Sequence, residues 1–254
     1  MTRHVLALIG IGLLGGFLSG LFGIGGGILM VPLLVLVLGL DQRRASALSL
    51  AGVLPAAIVG SITYAAQGSV DLLAAALIAL GGVVGALVGT RLLRALPLGW
   101  LRWMFIALLV LVAVRMLIEL PVGDRVGIEW WSGAGLVALG LVVGIASGLF
   151  GIGGGVLIVP ALVSLFGFDP VAAKGASLLA MIPTSISGTI ANTRARLVRP
   201  IDGLILGSAA ALASFPGALL AHVIPARLSN VLFAILVLVA AIQLAVRAWR
   251  LRRG

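Results

Sequence analysis

Apolar residues run along this chain in long unbroken stretches, not in the alternation of a half-buried strand or the single stripe of a surface helix. The first stretch, Val5 to Leu38, is 34 residues long, whereas one membrane span takes about 17 to 25. The segment Gly23-Ile24-Gly25-Gly26-Gly27 interrupts it. Glycine is a poor helix-interior residue and tolerates positive φ, so the pattern predicts helix, break, helix: 5–22 and 28–39. A second stretch predicts 133–150 and 156–166 in the same way. Further apolar helices are predicted near 45–66, 72–93, 103–120, 173–193, 203–222 and 227–247. The fold class is all-α, and the run lengths are those of an integral membrane protein.

The chain repeats itself. Ser19–Pro32 reads SGLFGIGGGILMVP and Ser147–Pro160 reads SGLFGIGGGVLIVP, twelve of fourteen positions being identical at an offset of 128. The offset carries Asp41 onto Asp169, Ser49 onto Ser177, Pro55 onto Pro183 and Gly60 onto Gly188. Farther on, the alignment drifts by three or four residues, placing Asp71 against Asp202 and Gly85 against Gly217. The expected organisation is a first transmembrane repeat at 1–120, a linker at 121–129 and a second repeat at 130–254 within one transmembrane domain. Arg3 and the following apolar run resemble a signal peptide. Residues 5–20 nevertheless have a counterpart at 133–148, so they are expected to be retained as part of the fold.

Composition agrees with the run lengths: 62% of residues are hydrophobic and only 9% are charged, against about 25% charged in a soluble domain. Cysteine is absent, which excludes disulfides, thiolate metal sites and cysteine nucleophiles. No Ser–His–Asp context, HExxH or GxxxxGK[ST] motif occurs. The expectation is therefore no enzyme, no catalytic residues, no metal and no cofactor.

The net charge of +10 is distributed at the ends of apolar runs, which argues for membrane topology and against nucleic-acid binding. If each broken stretch forms a hairpin and the N-terminus is cytoplasmic, thirteen of the seventeen basic residues lie inside. They include Arg43, Arg44, Arg91, Arg94, Arg102, Arg194 and Arg247. A single long helix in place of each hairpin would move Arg43, Arg44, Arg91, Arg94 and Arg102 outside. The positive-inside rule selects the hairpin, with N- and C-termini cytoplasmic in a multi-pass inner-membrane protein. A hairpin plus three transmembrane helices crosses an odd number of times, so the two repeats should be inverted, an arrangement common among secondary transporters.

Gly-interrupted segments at corresponding places in two halves point to a transport site. Gly25, Gly26 and Gly27, and Gly153, Gly154 and Gly155, would leave N–H groups free at helix N-termini, where anions bind. Ser49 and Ser177 lie one to two turns before the helix-interior prolines Pro55 and Pro183. In the second repeat Lys174, Ser177, Met181, Thr184, Gly188 and Asn192 share one helical face, with Ser185, Ser187 and Thr189 nearby. The substrate-binding set is thus Gly25, Gly26, Gly27, Ser49, Gly153, Gly154, Gly155, Ser177, Thr184, Ser185 and Asn192. Ser177 is expected to matter more than Ser49, whose helix is poorer in polar partners. Lys174 is expected near the outer mouth, steering anions. Rows at four-residue spacing (Gly12, Gly16, Gly20; Gly140, Gly144, Gly148; Gly81, Gly85, Gly89; Ala213, Gly217, Ala221) read as helix-packing surfaces. Asp41, Asp71, Asp169 and Asp202 read as helix N-caps.

The paired SGLFGIGGG…VP motifs resemble the TauE/SafE family of sulfite exporters and related anion permeases. So do Ala47–Leu50, Gly175–Leu178 and the polar turns Gln67–Asp71 and Val198–Asp202. The resemblance covers nearly the whole chain. It implies a secondary transporter, and specifically an exporter, of sulfite, organosulfonates or other small anions across the inner membrane. Where family members often carry a histidine, this chain has Thr63–Tyr64 and Asn192. The partners expected are a small anionic substrate and the lipid bilayer. A passive anion channel and a non-transporting membrane scaffold are the alternatives.

Overall fold

The structure is a computed structural model and describes residues 2–117 and 130–253. The linker at 121–129 and the end of the 103–120 segment lie outside the described residues. Ten helices follow one another: α1 (Thr2–Phe22), α2 (Gly27–Leu38), α3 (Gln42–Ala66), α4 (Leu72–Ala95), α5 (Leu98–Leu117), α6 (Trp130–Phe150), α7 (Gly155–Phe166), α8 (Pro170–Arg194), α9 (Pro200–Leu220) and α10 (Ala226–Arg253). Among the described residues there is no strand.

The five helix starts of the second set follow those of the first by 128 residues each (130−2, 155−27, 170−42, 200−72, 226−98). No drift occurs at α4 and α9. Ile78 accepts the close approach of Gly140 as Leu206 accepts that of Gly12, and Gly89 lies against Ile145 as Gly217 lies against Phe17. Gly217 is therefore the counterpart of Gly89, not of Gly85, and Asp71 pairs with Arg199. The drift in the sequence alignment came from matching like residues across a stretch where small apolar side chains replace one another freely.

Packing follows the duplication. α4 lies along α6, and α1 along α9. α3 contacts α9 as α8 contacts α4, while α3 pairs with α8 and α5 with α10. Exchanging the two repeats leaves this set of contacts unchanged, a two-fold relation between the halves.

The small-residue rows are the two main interfaces. A Cβ on Gly16 would stand 2.0 Å from Ala210 O, and one on Gly20 would stand 2.1 Å from Ser214 O. On the other side, a Cβ on Gly81 would stand 2.0 Å from Val137 O, and one on Gly144 would stand 2.3 Å from Gly82 O. Backbone meets backbone, which only a missing side chain permits. In lipid, where apolar side chains gain nothing by leaving the solvent, such close approach is a main source of helix association.

Among the described residues, six helices are long and apolar enough to cross a membrane: those spanning 3–22, 42–66, 72–95, 132–150, 200–220 and 231–249. α8 is 25 residues long but does not meet the apolar criterion. Four of its polar side chains, Ser177, Thr184, Ser185 and Asn192, are buried. The outside is apolar: Leu80, Leu204 and Leu212 are exposed. A surface of this kind suits hydrocarbon, not water.

Three of the four predicted caps form. Asp41, Asp71 and Asp169 accept from backbone N–H groups of their helices' first turns, and Pro170 follows Asp169 at the first helical position. Asp202 is not a cap. Pro200, whose φ is preset for a helix start, begins α9 two residues earlier with Arg199 at the cap position. Asp202 instead lies 3.4 Å from His4 Nε2 across the α1–α9 interface.

These contacts give a direct test. Gly16→Val and Gly144→Val each force a side chain into a facing backbone and should lower stability by about 1–3 kcal/mol, the usual range for overpacking. Gly10 has nothing within 4 Å of its would-be Cβ, so Gly10→Ala should leave the melting temperature in detergent unchanged or slightly raised. Equal melting temperatures for Gly10→Ala and Gly16→Val would contradict the packing described.

Candidate functional site

The two glycine breaks meet in the centre of the bundle. α1 ends at Phe22 and α2 begins at Gly27; α6 ends at Phe150 and α7 begins at Gly155. Gly26 (φ 67°) and Gly154 (φ 99°) are the N-cap residues of α2 and α7, in a conformation that disfavours any side chain. Without a side chain they offer no capping oxygen, so the backbone itself must close the turn. Gly26 O accepts from Leu29 and Met30, and Gly154 O accepts from Leu157 and Ile158. α2 and α7 have only 12 residues each. At ~1.5 Å per residue they reach ~18 Å, short of a ~30 Å hydrocarbon core.

Each turn is held by the opposite repeat. Ser49 Oγ on α3 donates to Gly151 O (2.8 Å), and Ser177 Oγ on α8 donates to Gly23 O (2.9 Å). Both serines are fully buried. The loops also pack directly: a Cβ on Gly27 would meet Gly151 O at 2.4 Å, and one on Gly155 would meet Gly23 O at 2.5 Å. Val53 and Met181 are repeat equivalents (181−53 = 128) and lie against both loops. Val53 would sit 3.1 and 2.7 Å, and Met181 Sδ 3.0 Å, from Cβ atoms on Gly25 and Gly153. The Gly155 N–H points at Met181 Sδ (3.3 Å). A thioether therefore stands at one of the N–H groups that sequence reasoning offered to an anion.

The predicted site residues divide into three groups. Gly25, Gly26, Gly27, Gly153, Gly154 and Gly155 come together as the crossed loops. Ser49 and Ser177 each brace the other repeat's loop, and Ser49 Oγ also lies 3.4 Å from Gly27 O of its own repeat. Thr184 bonds back to Ala180 O (2.9 Å) and faces Gly82 on α4. Ser185 and Asn192 are fully buried, and their side-chain polar atoms have no hydrogen-bond partner among the described residues.

Lys174 faces α1 and not open solvent. It is buried at 7% exposure and its Nζ donates to Leu21 O (3.2 Å), in the last turn of α1. A lysine there satisfies a terminal carbonyl and complements the negative end of the helix dipole. Tyr64 does the same from α3, its hydroxyl donating to Gly20 O (2.9 Å). Tyr64 was missed as a site residue. The signal was present, since a lone tyrosine stands in an apolar helix at the position of Asn192 in the other repeat.

Comparison with known proteins agrees with this architecture. A family model described as Sulfite exporter TauE/SafE matches residues 1–116 and 136–254. The chain belongs to the TauE/SafE family. It is 32% identical to a "Probable membrane transporter protein" of Xylella fastidiosa (strain 9a5c), over 97% of each chain. It is 25% identical to the "Probable membrane transporter protein YunE" of Bacillus subtilis, over 73% of this chain and 77% of that one. It is 32% identical to a "Probable membrane transporter protein" of Haemophilus influenzae, over 74% of this chain and 73% of that one. No solved structure matches it. This TauE/SafE protein is thus a membrane transporter with two glycine-broken segments at its centre.

Two variants test the bracing. Ser49→Ala and Ser177→Ala each leave a buried loop carbonyl without its donor and should cost about 1–3 kcal/mol of stability, by similar amounts. Chemical unfolding in detergent measures this, and a large difference between the two would show that the loops are held otherwise. Lys174→Met should lower the melting temperature while leaving the ionic-strength dependence of anion uptake unchanged. A loss of uptake confined to low salt would restore the steering role.

Proposed function

We propose that this TauE/SafE transporter is a secondary carrier that exports small anions, sulfite or organosulfonates, across a bacterial-type inner membrane. The observation that carries the reading is the pair of short, glycine-broken helices whose turns cross at the bundle centre and are braced reciprocally by Ser49 and Ser177. Broken helices at membrane depth are stable only where they are buried in protein or line a cavity, and transporters place substrate there. The name of the matching family supplies the substrate class. Transport itself needs no covalent chemistry from the protein.

The repeats are inverted in this reading, at 1–120 and 130–254, with both termini cytoplasmic and the linker at 121–129 outside. The basic residues support it. Arg43 donates to Leu93 O (2.9 Å) and Leu96 O (2.8 Å), closing the C-terminus of α4. Arg247 donates to Val35 O near the C-terminus of α2. Arg43, Arg94, Arg194 and Arg247 thereby gather at one end of the bundle, the end that the positive-inside rule makes cytoplasmic. The substrate passes the crossed loops, where Val53 and Met181 must move aside.

Reconstituted vesicles provide the test. A carrier gives saturable flux and counterflow of at least one of sulfite, sulfate, thiosulfate and sulfoacetate. Flux without counterflow would make the protein a channel, and no flux of any anion would leave it a scaffold. Reporter tags at residues 1 and 254 should both read cytoplasmic, and a tag in 121–129 should read external. A cytoplasmic 121–129 tag would overturn the inverted arrangement.

A further inference from the structure

The two halves of the bundle differ most where their equivalent residues should match. α3 and α8 run antiparallel, because Gly188 meets the side chain of Leu50 and Gly60 meets that of Leu178. Residues whose numbers sum to 238 are therefore level (50 + 188, 60 + 178). Tyr64 is level with Lys174, and Ser46 with Asn192. The repeat relates these pairs, since 174−46 and 192−64 are both 128. His222 and Arg94 are likewise equivalent (222−94 = 128).

At the Tyr64 end the α3 and α8 side chains are engaged, although Ser19 Oγ on α1 is buried without a partner among the described residues. Tyr64 and Lys174 cap Gly20 and Leu21 at the end of α1, and the His222 ring centroid lies 5.2 Å from that of Tyr64. Approaching that end along α3, Ala57 has no polar group and Ser61 bonds back to Ile58 O (3.0 Å). At the opposite end the equivalents are small and unengaged. Ser46 Oγ and both amide atoms of Asn192 are fully buried without a partner among the described residues. Along α8, Ser185 and Thr189 stand where Ala57 and Ser61 stand on α3, and their hydroxyls are also unpartnered. Ser147 and its counterpart Ser19 are unpartnered alike and do not distinguish the two ends. No side chain among the described residues donates to Gly148 or Leu149, the counterparts of the capped carbonyls. Buried polar atoms left like this are costly, and so many in one lane call for something that satisfies them.

The same end carries positive charge. A cavity of about 360 Å³ lies between α4 and α8, lined by Leu87, Thr90, Arg91, Arg94, Ala191, Arg194 and Ala195. Arg94 is fixed to α8 by its bond to Ala191 O (3.2 Å), one residue from Asn192. Among the described residues, Arg91 and Arg194 have neither an ion pair nor a hydrogen bond, and no carboxylate lines the cavity.

We propose that Ser46 and Asn192, with Ser185 and Thr189 leading inward, form an oxyanion-binding position at the cytoplasmic end of the path, fed from the Arg91/Arg94/Arg194 cavity. Tyr64 and Lys174 are its closed counterpart at the external end. The assignment rests on the transporter reading for its sidedness and its ligand. The ligand class is a small oxyanion, a sulfonate or sulfur oxyanion, accepted by hydroxyl and amide donors. The arginines concentrate anions at the mouth and the neutral donors hold them within.

Because the chain contains no cysteine, Ser46→Cys and Asn192→Cys give single reactive thiols in the full-length protein. The probe is the anionic reagent methanethiosulfonate ethylsulfonate, applied to inside-out and right-side-out vesicles with and without methanesulfonate or sulfate. Labelling of Ser46→Cys from the cytoplasmic face, slowed by either anion, is the expected result. Tyr64→Cys should remain unlabelled from that face. Labelling only from the external face, no labelling of either variant, or labelling that neither anion slows would overturn the site. Ser46→Ala, which removes one hydroxyl with little change in packing, should raise the half-saturating anion concentration by about threefold to tenfold, the worth of one hydrogen bond. Wild-type protein that moves no anion would sink the transporter reading. Wild-type flux with unchanged half-saturation in Ser46→Ala and unreactive thiols would sink this site alone.

Discussion

A chain broken inside an apolar bundle must satisfy its own freed backbone groups, and the arrangement of this protein follows from that requirement. In hydrocarbon no water is available to an orphaned carbonyl or N–H, and each one left unpaired costs several kcal/mol. The two glycine turns release such groups at the centre. Ser49 and Ser177 answer two of them, and each reaches across into the other repeat to do so. Neither half can close its turn alone. This reciprocity ties α3 to the second loop and α8 to the first, and it fixes the α3–α8 pair on which the rest of the bundle hangs.

The glycine rows serve the same end. Loops can cross at the distances seen only if the helices carrying them come close, and α1 on α9 and α4 on α6 do so backbone to backbone. Helix ends are closed by long side chains from neighbours: Lys174 and Tyr64 on α1, beside the first glycine turn, and Arg43 on α4 and Arg247 on α2 farther out. Three of these four groups are cationic and sit at helix C-termini, where the dipole favours them. Charge in this protein is therefore used to finish helices as well as to set topology.

Much of this was legible in the sequence because it depends on residue identity alone. Nothing but glycine tolerates both the φ of Gly26 or Gly154 and the contacts around them, so the GIGGG repeat stands out. The same holds for Gly12, Gly16 and Gly20, and for Asp41 and Asp169 at the starts of α3 and α8. What identity could not show was direction. Ser177, Thr184 and Ser185 fall within one polar stretch, yet one braces a loop, one bonds back to its own helix and one has no partner. Helical spacing cannot separate these fates, because they depend on which neighbouring helix each hydroxyl meets. The burial of Lys174 was hidden for the same reason: a lysine near a helix start reads as exposed until α1 is found ending against it. Asp202 was misread because a following apolar run suggested a cap, while Pro200 had already begun the helix.

The unequal halves bear on how a duplicated carrier can hold and release an anion. Two identical half-sites on a two-fold axis would offer a substrate the same surroundings on both sides, with no preference for either. Here the equivalents have diverged in size and in engagement. Tyr64 and Lys174 fill one end and spend their donors on α1, whereas Ser46 and Asn192 leave room and keep theirs. A buried fixed cation at the inner position would hold an anion far more strongly than hydroxyl and amide groups, since charge-assisted hydrogen bonds are roughly twice as strong as neutral ones. It would also be costly to leave unpaired once the anion departs. Keeping Arg91, Arg94 and Arg194 at the solvent-facing cavity and neutral donors within separates attraction from retention. In the proposed path the arginines would raise the local anion concentration where water still screens them, and the lane would bind only as tightly as neutral hydrogen bonds allow. Such an arrangement would favour turnover over capture, and on the proposed path the Tyr64 and Lys174 hydrogen bonds to α1 are the two that passage at the other end would have to break.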